Sequence, residues 1–132
     1  CGLLPINQDA VWFYNRIGYH DYEGVSLELG ERERLVASIG DHRALILRNH
    51  GLLTVGRSIA EAFALMYHLE KGCVAQIMAN ARSADDPHII MPSPELCEHS
   101  AQKGWAINDK SEEVRWPALV RWMDKESPGF RD

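Results

Sequence analysis

Apolar and polar positions along the 132 residues fall into short blocks whose periods alternate between helix and strand. Glu31 to Ile39 (ERERLVASI) sets Leu35, Val36 and Ile39 on one side and its charges on the other, and these spacings predict a short amphipathic helix. Gly40 ends it where glycine tolerates positive φ. Ala44-Leu45-Ile46-Leu47 is a continuous apolar run bounded by charges, the pattern of a strand buried on both faces. Asn49-His50-Gly51 interrupts the run, and Leu52 to Val55 follows as a second short strand ended by Gly56. Strands joined by so few residues are antiparallel neighbours or one bent strand.

The longest periodic block predicts a helix from about Ile59 to Ala81. Ser58-Ile59-Ala60-Glu61 spells a capping box, in which the serine hydroxyl accepts from the N3 amide while the glutamate reaches back. Ile59, Phe63, Met66, Cys73 and Ile77 predict the core stripe, widened by Ala62, Leu69 and Val74, with Glu61, His68 and Lys71 on the opposite face. Glu70 falls in line with that stripe, where a carboxylate has to be paired, hydrogen-bonded or at the edge. An edge glutamate bonded to arginine or backbone outweighs a role behind a metal ligand or at a subunit interface. Gly72 costs ~1 kcal/mol of helix propensity against alanine and implies close helix packing there.

Beyond this helix, Ser83 to Pro87 is a turn cluster. Ser93 and Pro94 start a helix to about Trp105 as cap and N1 residue. Ser111-Glu112-Glu113 introduces a last helix through Trp116, Leu119, Val120 and Met123, with Pro117 near its start or at a kink, and Pro128-Gly129-Phe130 should fray. At the other end, Pro5 to Gly24 is rich in aromatics and predicts a short helical or irregular piece, then a strand around Ile17 to Tyr19.

A hydrophobic fraction of 45% and a charged fraction of 25% are those of a soluble globular chain, and the length allows at most one domain. A net charge of −5 with scattered basic residues argues against a nucleic-acid partner. No stretch approaches the ~18 consecutive apolar residues that a membrane helix needs. The three cysteines, Cys1, Cys73 and Cys97, show no C-x-x-C spacing, which argues against a disulfide framework or a zinc knuckle and for a reducing cytoplasm. The opening Cys1-Gly2-Leu3-Leu4-Pro5 has neither the basic nor the long apolar region of a signal peptide, and it reads as the interior of a longer polypeptide.

Six histidines are present, without H-x-H or H-E-x-x-H. His68 belongs to the polar helix face and should be solvated, while His88 and His99 lie in or beside turn-rich segments as surface residues. His50 has the strongest case for chemistry. It directly follows a buried strand, in the kind of loop where α/β sheets place ligands. Gly51 removes a side chain that would block a metal or substrate, and Asn49 can fix the turn. One histidine is still not a site.

The stretch from Ala44 to Gly56 (ALILRNHGLLTVG), with Ser58-Ile-Ala-Glu-Ala-Phe63 and Leu69-Glu70 behind it, resembles the class II aldolase/adducin family. Leu4-Pro5-Ile6 with Gln8, and Gly18-Tyr-His-Asp-Tyr-Glu-Gly24, are also similar to it, so the likeness spans roughly residues 3 to 80. The resemblance implies an α/β fold, a three-layer α/β/α sandwich incomplete at its N-terminus, with residues 1–132 as the C-terminal portion of one domain. It implies a divalent metal, usually zinc, held by an H-x-H pair and by the histidine of Asn-His-Gly, which makes His50 the third ligand. The H-x-H pair and the acid/base carboxylate fall before the start of this sequence, and no catalytic residue is assigned. A metal-dependent lyase acting on a small hydroxycarbonyl or sugar-acid substrate is implied, inactive as this piece alone. The alternative is an adducin-like interaction domain without metal. A cytoplasmic homo-oligomer, a tetramer by family habit, is the expected assembly.

Overall fold

The computed structural model describes residues 2–24, 30–80 and 89–131, with only the helical backbone described over 108–112. The expected turn at Ser83 to Pro87, the helix end at Ala81 and His88 lie outside the described residues. The elements run in the order α1 (Gln8–Val11), β1 (Gly18–His20), α2 (Glu31–Ile39), β2 (Ala44–Leu47), β3 (Gly51–Thr54), α3 (Ile59–Asn80) and α4 (Pro94–Glu126), closed by a 3-10 turn at Pro128–Arg131. The strands form one sheet in the order β1-β2-β3. β1 pairs parallel to β2, with Gly18 opposite Leu45, and β2 pairs antiparallel to β3, with Leu47 opposite Gly51. The short connection thus makes antiparallel neighbours rather than one bent strand. α2 occupies the predicted residues and ends at Gly40, whose φ of +52° lies in the left-handed region.

The core gathers Trp12, Phe13, Ala44, Leu65 and Leu69, and the first half of β2 is sealed on both faces, Ala44 and Leu45 having no exposed surface. Two glycines let the helices approach. A Cβ on Gly72 would come within 3.1 to 3.2 Å of Ala10, so the bare glycine is what seats α1 on α3, as its place in the sequence implied. A Cβ on Gly104 would sit 2.5 Å from Trp12 Nε1, and the neighbouring Trp105 donates its indole N–H to the Trp12 carbonyl at 2.7 Å. These contacts fix the first half of α4 against the aromatic N-terminal segment.

Two sequence expectations for the helices need correction. The face of α3 that is buried carries Glu61, Leu65, Leu69 and Gly72, while Ile59, Phe63 and Ile77 are exposed and Met66 and Cys73 only half-buried. Apolar residues occupy every side of this helix, so period alone does not single out one stripe. The choice falls to Gly72, which admits Ala10, and to the pairing of Glu61. Glu70, placed in the stripe by its spacing, is exposed. The second correction concerns the C-terminal region, where two helices were expected. One helix runs from Pro94 to Glu126 with Pro117 inside it. Ser93 caps it by accepting from the Leu96 amide at 3.3 Å, but no glycine or proline follows Gly104 until Pro117, so nothing stops it near Trp105. Pro117 is exposed, which leaves the carbonyl one turn back open to water and makes the lost bond tolerable. The tail expected to fray instead forms the 3-10 turn, tied back by Arg131 donating to Asp124 at 3.0 and 3.1 Å.

An ion pair joins α4 to the segment after α1. Arg16 donates to both carboxylate oxygens of Glu98, at 2.5 and 3.0 Å, and Gln102 adds a bond at 3.0 Å. These bonds hold the Glu98 carboxyl down at about 2, from an ordinary value of 4.5. A carboxyl lowered by folding stabilises the native state above its unfolded pKa and loses that contribution as pH falls through the folded value. The melting temperature should therefore drop between pH 4.5 and about 2, and Glu98→Gln should flatten part of that drop. Calorimetry across this range checks it; a variant with the same slope as the parent would exclude the pair as a contributor.

Candidate functional site

The hairpin between β2 and β3 is built by three residues, Arg48, Asn49 and His50. The His50 amide donates to the Leu47 carbonyl at 3.1 Å, closing the turn, and Asn49 takes the left-handed conformation with φ of +57°. Asparagine is one of the few side chains that tolerates it, so the Asn-His-Gly order has a conformational reason. Arg48 anchors the turn to β1: its amide donates to the His20 carbonyl at 2.9 Å, its guanidinium pairs with Asp21, and it lies 5.6 Å from the Tyr19 ring centroid. This arrangement brings His50 to the same end of the sheet as the end of β1.

His50 is exposed. The chain neighbours of Gly51 aside, nothing in the described structure lies within 4 Å of where a Gly51 Cβ would be, so the space at Gly51 is open. Arg48, Asn49 and His50 thus form a hydrogen-bonded, solvent-facing corner with one imidazole available as a donor. It is one donor only: among the described residues no group of three or more His, Cys, Asp or Glu side chains is placed to hold a metal ion. The residues present therefore fit one position of a metal site and not a complete set.

Among the described residues, the other histidines form no cluster with His50 that could hold a metal. His20 is buried, with Nδ1 3.0 Å from the Ser38 hydroxyl and Nε2 3.6 Å from Glu23, beyond a hydrogen bond. Glu23 itself is engaged by Arg34, whose hydrogen bonds hold its carboxyl below the ordinary range. His99 is exposed on α4, as expected. His68 departs from its expectation. Rather than standing in solvent, it packs against Trp12 with ring centroids 4.1 Å apart and planes tilted by 44°, and shares a 2.7 Å hydrogen bond with Asp9.

Sequence reasoning also passed over Glu61, which was set on the solvated face and is wholly buried. Burial by itself would raise its pKa, yet the Arg57 amide and guanidinium, together with Arg43, hold it below the ordinary value. The Ser58 cap forms as predicted, its hydroxyl accepting from the Glu61 amide at 3.1 Å. The carboxylate reaches back one residue further than in the usual capping box, to the Arg57 amide at 2.5 Å. The capping box was the available signal, but the partner Arg43 lies eighteen positions away and nothing local announces it.

With this geometry in view, the comparison with known families is decisive. The model of the Class II Aldolase and Adducin N-terminal domain matches residues 1–77. This chain belongs to the class II aldolase/adducin family. The "Putative aldolase class 2 protein" of Caulobacter vibrioides is 39% identical over 132 residues, which cover 99% of this chain and 50% of that protein. Rat alpha-adducin is 35% identical over 95 residues, covering 71% of this chain and 13% of adducin. The crystal structure of an aldolase II superfamily protein from Pseudomonas syringae superposes with a TM-score of 0.88 at 39% identity, over 99% of this chain and 52% of that one. The chain thus spans about half the length of the aldolase-type relatives that it matches. Its α/β fold is of the class II aldolase type, as the Asn-His-Gly turn and its surroundings implied. No helix among the described residues is long and apolar enough to cross a membrane.

Proposed function

We propose that this chain is the C-terminal portion of a class II aldolase-like lyase and that His50 supplies one of three histidine ligands to a divalent metal, zinc in the first instance. The observation that carries the reading is the corner itself: an exposed imidazole on a turn fixed by Asn49 and Arg48, with open space beside Gly51. A catalytic zinc takes three protein ligands and leaves positions for substrate. His50 would hold the metal at one position, and the metal would supply Lewis-acid chemistry to the oxygens of a small hydroxycarbonyl or sugar-acid substrate. The contribution of this chain is to hold one imidazole in place; the remaining ligands and the acid/base group belong to the half that the chain does not span. A cytoplasmic homo-oligomer is part of the same reading.

A chimera tests it directly. The part of the Caulobacter relative that this chain lacks would be joined to residues 1–132, and zinc measured after dialysis against a weak chelator. About one zinc per chimera is expected, lost in His50→Ala. Stoichiometric zinc retained by His50→Ala would refute the ligand assignment. A folded chimera without zinc would favour the second reading, an adducin-like interaction domain, to which the 35% identity with alpha-adducin gives specific support.

A further inference from the structure

The first turns of α3 and the second half of α4 enclose a groove of about 690 Å³ that shares no residue with the hairpin corner. Phe63, Tyr67, Trp116, Leu119 and Trp122 supply its walls, with Ala64 among them, and the Phe63 and Trp116 rings meet edge-on at 5.6 Å. Phe63, Tyr67 and Trp122 each keep about half of their surface exposed, so the groove is formed but not filled. Its size falls within the ~300–1,000 Å³ range of small-molecule sites, which are mostly apolar with a few convergent polar groups.

The basic side chains here are two, His68 and Arg115, and their hydrogen bonds set their roles. Arginine only donates, so the 3.1 Å contact from Arg115 Nη1 makes His68 Nε2 the acceptor. The ring proton therefore sits on Nδ1 and goes to Asp9 at 2.7 Å. His68 is pinned between Asp9 and the Trp12 face and presents no free donor to the groove. Arg115 is exposed, spends one of its five N–H groups on His68, and among the described residues forms no ion pair. The wall thus offers one guanidinium with donors to spare at an aromatic surface.

We infer that this groove binds a small amphipathic anion, an aryl or arylalkyl carboxylate, with its ring against Phe63, Tyr67, Trp116 and Trp122 and its carboxylate on Arg115. Guanidinium and carboxylate match in charge and in bidentate geometry, whereas a neutral head group would leave the same donors less well used. The inference does not depend on the metal reading at His50.

The probe pair is 1-naphthylacetate and its neutral amide, which differ in charge and little in shape, titrated calorimetrically into the intact chain. Saturable one-to-one binding of the acid is expected, at least tenfold tighter than the amide. Arg115→Gln, on an exposed residue, should bring acid and amide to similar affinity. Ala64→Phe should block both by filling the groove, with circular dichroism reporting that the fold is kept. Equal binding of acid and amide by the parent chain, or no saturable binding of either, would overturn the assignment. So would a chain that sediments as an oligomer and is released to monomers by Trp122→Glu, for the groove would then be filled by a second copy.

Discussion

Replacing Glu61 by alanine is expected to cost about 2–4 kcal/mol of stability, read as a lower urea midpoint with an unchanged slope. The side chain is fully buried and bonded to the Arg57 amide and the Arg43 and Arg57 guanidiniums, so the variant breaks charge-assisted bonds to three groups at once. The upper part of the range for buried pairs is not reached because both arginines are partly exposed and rehydrate. Glu61→Gln keeps the shape and should lose less. The loss should also depend on pH. Because folding lowers this carboxyl, its contribution is present above its ordinary value of 4.5 and disappears as pH falls through the lower folded value, so parent and variant should converge in acid. A neutral-pH change below about 0.5 kcal/mol, the level of ordinary surface substitutions, would show that the arginines do not use this carboxylate.

The second large effect should come from Leu69→Ala, at about 2–5 kcal/mol, because Leu69 is wholly inaccessible and the truncation leaves a cavity in the centre of the core. Ile77→Ala, eight residues along the same helix, should change stability by no more than about 0.5 kcal/mol, since its side chain is largely exposed. Chemical denaturation of the two variants side by side measures the contrast. The opposite ranking would put Ile77 in the core and displace the buried face seen in the structure. Against a total stability of roughly 5–15 kcal/mol for a domain of this kind, either the Glu61 or the Leu69 loss would be felt as a raised unfolded fraction.

What the sequence made legible was local. The α2 bounds, the Gly40 stop, the paired strands around Asn49-His50-Gly51 and the Ser58 cap all depend on residues within a few positions of one another, where period and capping chemistry act. What it concealed was the pairing of distant segments. Glu61 finds Arg43 across the strands, and His68 finds Asp9 and Trp12 more than fifty residues upstream. Neither leaves a periodic trace. The face of α3 was hidden for a related reason, since a helix apolar on all sides is oriented by what it meets, here the backbone of Ala10 at Gly72. At the candidate site, the proposed ligand His50 was legible because it stands on a turn with its own conformational demands, while no set of companions to it is found among the described residues.

Pro117 gives α4 two unequal halves. The first is fastened to Trp12 through Gly104 and Trp105, while the second rests on the start of α3 and on the 3-10 turn. Where the proline interrupts the ladder, helical bonds no longer couple the two pieces fully. In a native-state hydrogen-exchange measurement the amides of the distal half are expected to exchange by local opening, and those near the buried Cys97 and Ala101 only when the core opens. A single helix in outline is then expected to open as two units, with Pro117 at the joint between them.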